Sequence, residues 1–577
     1  PVIRDQSGMY SLQWRNSEEL TFINTDSNFK SQIFSFALKT GDIKQITRHS
    51  QGIYGFKWQP GGRSVAFFSR DSLPEKIGWE KHVKSFEAGL NSYLTREMPR
   101  PVHLWVCDQN GRNSRQISRG VQSYSSHYGD FDWSPDGTRI AFISQPSAHS
   151  SAKYRSEVQV ADLDRDTIFT LETRRPVWGI KFMDNRNLIC NRPRQPLSLS
   201  ISSGGLYLID GERNNGAQDS LDIDADLYVH KVMPEKGKFI AAGAMGTRTK
   251  VWLASFSGTP EELELGELVP SDQEMDVHAS GAMAIVSATE NKYKELFYKE
   301  SPFAAPVQIT HFNLKVSSCA QGRIETISWK SEDGTSCNGV VTYPPDYNPQ
   351  MQYPLVVAIH GGPVSSSQGE LYFYSQLLAA QGWIIFEPNY RGSNNNGEEF
   401  LTAIVGDPAR GPGEDIISGI NTLIRSSTID TSRIGVMGWS YGGYLCAWLV
   451  SQYHFWNSAI MGAGITDHLD MYTLSDVHLF SSSLIGASPW DDMKEFQETS
   501  PISYANQVET PLLILSMSGD ERVPVTNSYK MFHALRDRGV ETKFIVYPMG
   551  GHVPSDPAHV RDVRIRMIDW FKNHFGK

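Results

Sequence analysis

The sequence predicts two domains of different class in series. An all-β N-terminal half is built of repeats, and a doubly wound α/β half follows it. Three observations carry this. Aromatic or apolar strand ends recur through the first three hundred residues. The pattern changes near Ile324 to alternating helices and continuous apolar runs. A strand–turn–helix signal, Gly438-Trp439-Ser440-Tyr441-Gly442, sits inside the second half.

In the first half the unit is an apolar strand ending in an anchor residue, a polar turn, then another strand. The clearest copies are Phe131-Asp132-Trp133 with Ile140-Ala141-Phe142-Ile143, and Phe56-Lys57-Trp58 with Val65-Ala66-Phe67-Phe68. Weaker copies centre on Trp14, Phe182, Val232 and Val277. The anchors recur roughly every 45 residues, and a repeat of that length holding several strands implies a β-propeller. Six repeats are visible, and a degenerate seventh at the N-terminus is left open. The long interval between Trp58 and Trp133 predicts an insertion near residues 70–100. Nothing in the repeats has the spacing of a reaction centre.

The second half opens with strands at Ile324-Glu325-Thr326-Ile327 and Gly339-Val340-Val341. Then Leu355-Val356-Val357-Ala358-Ile359 is apolar without alternation, as a strand covered on both faces must be. Helices and strands alternate from there to Trp570-Phe571, which predicts an open α/β sheet. The expected domains are residues 1–321 and 322–577.

A chain of 577 residues is too long for a single core. A net charge of −10 argues against general nucleic-acid binding, and no apolar run is long enough to span a bilayer. The five cysteines, Cys107, Cys190, Cys319, Cys337 and Cys446, are scattered and odd in number. Neither a disulfide framework nor a zinc site is indicated, and a reducing compartment is mildly favoured. The expectation is a soluble, cytoplasmic protein, or a periplasmic or secreted one if a leader was removed ahead of Pro1. No metal, cofactor, nucleic acid or membrane partner is expected; a homo-oligomer is left open.

Function is read from the Gly-x-Ser-x-Gly turn. With 48 glycines the pentapeptide alone is weak evidence. Its context is stronger, because a strand precedes it and a helix follows, as a nucleophile elbow requires. A serine hydroxyl is a poor nucleophile until a base takes its proton. His552 supplies that base, in Gly550-Gly551-His552 just past the strand Phe544-Ile545-Val546-Tyr547. Asp520, past Leu512-Leu513-Ile514-Leu515, is the acid that fixes the imidazole tautomer. The order Ser440, Asp520, His552 is that of α/β-hydrolases, whose fold the second half is therefore expected to adopt. The tetrahedral oxyanion needs two backbone donors. Tyr441, directly after the nucleophile, and Gly362, in His360-Gly361-Gly362-Pro363 after an early strand, are assigned to it. Ile465, Tyr472 and Phe480 follow the next strand and are apolar enough to line a substrate pocket; core packing is the bland alternative for each.

These residues resemble the prolyl oligopeptidase family of serine peptidases, most closely its acylaminoacyl-peptidase branch. The resemblance rests on His360-Gly361-Gly362-Pro363, Asn389-Tyr390-Arg391-Gly392-Ser393, Gly438 to Gly443, Ser500-Pro501-Ile502, Gly519 to Pro524, and Gly550-Gly551-His552. It implies cleavage of short peptides at a site between the two domains, with the propeller restricting access. It also implies that Arg522 binds a substrate carbonyl; an ion pair is the bland reading of that arginine. Two features depart from the family. The Glu-Glu helix of the dipeptidyl-peptidase branch is not evident, and Asn394-Asn395-Asn396-Gly397 lacks the usual aromatic. An esterase or amidase with the same triad, a dipeptidyl aminopeptidase, and a non-catalytic scaffold are the competing readings.

Overall fold

The structure is a computed structural model of the 577-residue chain. It describes every residue except 1–7, 74, 87, 125–130, 172, 174, 196–200, 213–216, 234, 236, 426–427 and 577. The N-terminal stretch around Pro1 considered above lies outside the described residues.

Six antiparallel sheets fill the chain from Tyr10 to Gln308, and each is a run of consecutive strands. They are the blades of a six-bladed propeller region, and among the described residues no seventh sheet occurs. Every anchor read from the sequence falls in the strand that opens the four-strand path of its sheet. Trp58, Trp133, Phe182, Val232 and Val277 end the strands Gly55–Trp58, Phe131–Trp133, Gly179–Phe182, Leu227–Val232 and Val269–Val277. The anchors work because an indole has both an apolar body and a donor. Trp58 Nε1 donates to Thr21 Oγ1 at 2.9 Å and Trp133 Nε1 to the Lys57 carbonyl at 3.0 Å, each reaching back one blade. The insertion lies between Ser64–Arg70 and Val102–Asp108 of the second sheet and carries a short 3-10 helix, Gly78–His82.

The fold changes between Gln308 and Ile324 to one eight-stranded sheet. Its strands are β1 (Ile324–Lys330), β2 (Ser336–Thr342), β3 (Tyr353–Ile359), β4 (Ile384–Asn389), β5 (Ile429–Trp439), β6 (Ser458–Gly462), β7 (Leu512–Gly519) and β8 (Thr542–Gly550). Their order is β1-β2-β4-β3-β5-β6-β7-β8. The first two pairings are antiparallel and the remainder parallel. The principal helices around it are α1 (Phe373–Ala379), α2 (Arg410–Ile424), α3 (Tyr441–Gln452), α4 (Thr526–Asp537) and α5 (Pro557–Phe575).

Alternation along the strands sorts the core into two layers. Leu355, Val357, Ile434, Val436 and Ile514 join Ile416 and Ile420 of α2 and Leu445 and Trp448 of α3. Val356, Met437, Ile460, Leu513 and Leu515 face the other way, toward Leu378 of α1 and Met567, Trp570 and Phe571 of α5. Helix α3 is buried on nearly all sides, which explains its apolar sequence.

By packing, the described chain falls into two compact units. One comprises Pro1–Leu90, Thr95–Pro193 and Gly205–Leu221; the other comprises Asn91–Leu94, Arg194–Gly204 and Asp222–Lys577. The last two sheets therefore pack as one unit with the α/β sheet.

Candidate active site

Strand β5 runs straight into Ser440, and α3 begins at the next residue. Ser440 has φ 59° and ψ −121°, a conformation that L-residues avoid at a cost of about 1–3 kcal/mol. The surroundings hold it there. Its N–H donates to the Gly462 carbonyl at 2.9 Å, and its own carbonyl accepts from Tyr444 N–H at 2.9 Å. A Cβ on Gly438 would lie 2.2 Å from the Gly442 oxygen, and one on Gly442 would lie 2.2 Å from the Ile359 oxygen. Both glycines of the motif are thus fixed by close backbone approach.

Asp520 follows β7 directly and is fully buried. Its Oδ1 accepts from the N–H groups of Arg522 and Val523 at 2.9 and 3.0 Å. Its Oδ2 accepts from His552 Nδ1–H at 2.7 Å. That bond leaves His552 Nε2 as the basic atom. The His552 loop is tied to the elbow, because Trp439 Nε1 donates to the His552 carbonyl at 3.0 Å. Nε2 itself is buried and has no hydrogen-bond partner among the described residues, so Ser440 and His552 are not bonded to each other in this state. Such bonds are often long in unliganded hydrolases and close with substrate. Asp556, an acid near His552 in sequence, caps α5 and pairs with His559 instead.

The glycine loop lies against the elbow. A Cβ on Gly361 would stand 2.9 Å from the Trp439 oxygen and 3.3 Å from Ser440 Cβ. Gly362 has φ +120°, open only to glycine. Tyr441 is fully buried, and its hydroxyl donates to the Pro408 carbonyl. Its side chain is therefore spoken for, and what it can offer a substrate is a backbone N–H in the first helical turn, where no intrahelical acceptor exists.

His360 is a scaffold residue whose role the sequence did not announce. Burial pushes its imidazole down to about 4, so the ring is neutral at ordinary pH. Nδ1–H donates to the Gly361 carbonyl at 2.8 Å. Nε2 is then an acceptor 3.0 Å from Ser393 Oγ, whose one proton it shares with the Tyr390 carbonyl at 2.7 Å. Tyr390 stacks on the ring at 4.5 Å, and its hydroxyl donates to the His360 carbonyl at 2.7 Å. The Asn-Tyr-Arg-Gly-Ser segment thus locks the glycine loop from behind.

The other expected residues sit differently. Arg522 is about half exposed and makes a two-pronged ion pair with Asp476, Nε to Oδ1 at 2.7 Å and Nη2 to Oδ2 at 3.0 Å. Ile465 is in the core at 1% exposure, and Phe480 packs partly buried against the same core. The Tyr472 ring meets His478, Trp490 and Phe496. Phe496 lines a cavity of about 390 Å³ with Leu469, Met493 and Tyr504. Residue Tyr93 of the insertion donates its N–H to the Leu474 carbonyl at 3.0 Å, two residues from Asp476.

Among the described residues no group of three or more His, Cys, Asp and Glu side chains could hold a metal ion. The five cysteines are free thiols; Cys446, six residues after Ser440, is buried in α3. No described helix is long and apolar enough to cross a membrane.

Residues 370–577 match the model of the prolyl oligopeptidase family. The uncharacterized peptidase YuxL of Bacillus subtilis is 33% identical over 257 residues, 43% of this chain and 39% of that protein. The acylamino-acid-releasing enzyme of Rattus norvegicus is 28% identical over 547 residues, 90% of this chain and 66% of that protein. This chain thus spans less than two thirds of the length of either curated relative. Among solved structures, an acylaminoacyl peptidase of Pyrococcus horikoshii superposes with TM-score 0.81 at 20% identity, covering 98% of this chain and 88% of that one.

Proposed function

From residues 370–577, which are a prolyl oligopeptidase family domain, we propose that this chain is a serine peptidase cleaving short peptides through an acyl-enzyme. The domain boundary is set at residues 321/322, with the propeller limiting the size of peptide admitted. One observation carries the reading: a fully buried Asp520 hydrogen-bonded at 2.7 Å to His552, whose loop is tied to a strained Ser440 elbow.

In this reading Ser440 Oγ attacks the scissile carbonyl carbon as His552 Nε2 takes its proton. The carbonyl π pair moves to oxygen, which is held by the N–H groups of Tyr441 and Gly362. Asp520 stabilises the imidazolium through Nδ1–H. As the tetrahedral intermediate collapses, His552 gives the proton to the departing amine and the C–N bond breaks. Water then attacks the acyl-enzyme with His552 again as base, and Ser440 leaves with the returned proton.

The relatives' names suggest release of N-acylated amino acids. A panel of free and N-acylated chromogenic peptides tests this, with fluorophosphonate labelling of Ser440 as the active-site control. Labelling that is abolished by Ser440→Ala and preferential turnover of the blocked peptides are expected. Equal turnover of free and blocked peptides would remove the acylaminoacyl assignment. Reduced short fragments should be cleaved and a folded, disulfide-locked protein spared; equal rates would rule out a size filter. A second reading, an esterase or amidase for small acyl groups, is favoured by one observation. Asp476 already engages two donors of Arg522, the group expected to bind a peptide carbonyl.

A further inference from the structure

The chain leaving the oxyanion loop, residues 364–371, is stitched to its surroundings on both sides. Ser367 exchanges two hydrogen bonds with the Asn389 side chain, at 2.7 and 3.0 Å. Gly369 N–H donates to the Thr247 carbonyl and Leu371 N–H to the Thr289 carbonyl, both at 2.8 Å. The stitching encloses a cavity of about 340 Å³ whose polar wall includes Tyr228, Thr249, Ser365, Gln368, Glu370 and Asn394. The cavity adjoins the oxyanion loop, since Ser365 Cβ lies 3.3 Å from where a Gly362 Cβ would stand.

Two residues of this wall carry a buried atom with no hydrogen-bond partner among the described residues, Glu370 Oε2 and Asn394 Oδ1. Unpaired buried polar atoms are rare in folded proteins, and two lining one cavity call for an explanation. Both are acceptors. The Asn394 amide is oriented by its neighbour, with Nδ2 facing Asp226 Oδ2 at 3.4 Å, which leaves Oδ1 for the cavity. The nearby Lys294 is bound to Glu274 at 2.7 Å. Burial pushes the Glu370 carboxyl up to about 7, with Lys294 only partly opposing it. The wall therefore offers two acceptors, one of them a carboxyl that a bound cation would hold ionised, and its complement is a compact cationic donor.

We propose that this cavity is a subsite for a primary ammonium group of the bound peptide, with Glu370 and Asn394 as its acceptors. The proposal rests on the peptidase reading. An ammonium has three donors, enough for both acceptors and a hydroxyl of the same wall. It can come from a free amino terminus or from a lysine side chain.

The test uses Ser440→Ala protein, so that binding is read without turnover. Pentapeptides of one parent sequence carry lysine or norleucine at each position in turn, with the amino end free or acetylated. Calorimetry should show one ammonium-bearing peptide binding about tenfold tighter than the acetylated norleucine parent, as charge-assisted hydrogen bonds provide. A gain from the free amino end identifies a terminus site, and a gain from lysine at one position identifies a side-chain site. In Glu370→Gln the preference should fall to about one, and in Asn394→Ala it should shrink. Equal binding of all peptides, or a preference that survives both substitutions, overturns the subsite. The peptidase reading fails separately, if the wild-type protein hydrolyses none of the set.

Discussion

The two loops that border Ser440 in function are held in opposite ways. The glycine loop is fixed by neutral, partly buried hydrogen bonds. His360 grips Gly361, Ser393 and Tyr390 grip His360, and the Trp439 carbonyl and Ser440 Cβ pack against Gly361. The Arg522 loop is fixed at its backbone by Asp520, yet its guanidinium ends in an exposed ion pair. Buried neutral bonds in a low-dielectric site hold a geometry before substrate arrives. An exposed pair is screened and exchanges its partner at little cost. The contrast is between groups set for the transition state and a group whose exposed ion pair a substrate can exchange.

The largest effects should come from the buried side. Ser440→Ala should lower kcat about a million-fold with the fold intact, measured by turnover and circular dichroism. Asp520→Asn should cost about ten-thousand-fold, because the Nδ1–H bond would lose its acceptor and the imidazole its tautomer. A mild loss on Asp520→Asn would mean that burial at this position does not serve catalysis.

His360 sharpens the same point at smaller scale. His360→Ala should lower kcat about a hundred-fold with KM little changed, the cost of one misplaced oxyanion donor. His360→Gln, whose amide can both donate and accept, should recover much of it. Stability adds an independent readout. Since burial holds the imidazole near 4 in the folded chain, the unfolded chain binds more protons between pH 4 and its ordinary value near 6.5. Stability therefore falls as pH drops through that window, by about 3 kcal/mol from this group at most. Urea titrations of wild type and His360→Gln at pH 7 and pH 5 should diverge accordingly. Parallel losses in both proteins would assign the acid sensitivity elsewhere, with buried His468, also pushed down to about 4, the next candidate.

The sequence made much of this legible for identifiable reasons. Propeller anchors repeat, so weak signals such as Phe182 and Val277 reinforce strong ones such as Trp133. Ser440, Asp520 and His552 could be singled out because each follows an apolar strand, where an open α/β sheet gathers its chemistry. What stayed hidden is assembled from distant segments. Asp476 and Arg522 meet across 46 positions with no local pattern to announce it. The cavity at Glu370 joins residues of the last two propeller sheets to a loop of the α/β domain. Ile465 has the composition of a pocket wall and of a core residue alike; the structure buries it in the core. The grouping of the last two sheets with the α/β sheet leaves no trace in repeat spacing either.

The smallest predicted effects concern the exposed pair, and they separate the peptidase from the esterase reading. Arg522→Ala should reduce kcat/KM on peptides by about 1.5–3 kcal/mol, the range for a hydrogen bond to a charged group. A small activated ester presents no second carbonyl and should lose far less. Asp476→Asn removes only the exposed partner. If that carboxylate merely aims the guanidinium, its loss should cost a few-fold on peptides, within the roughly 0.2–1 kcal/mol of an exposed pair. If instead the carboxylate competes with substrate for the same donors, Asp476→Asn should speed peptide cleavage. The first outcome is expected, because the two parallel bonds at 2.7 and 3.0 Å from Nε and Nη2 fix the plane of the guanidinium. Equal losses on peptide and ester for Arg522→Ala would mark the arginine as purely structural and leave the small-acyl reading ahead.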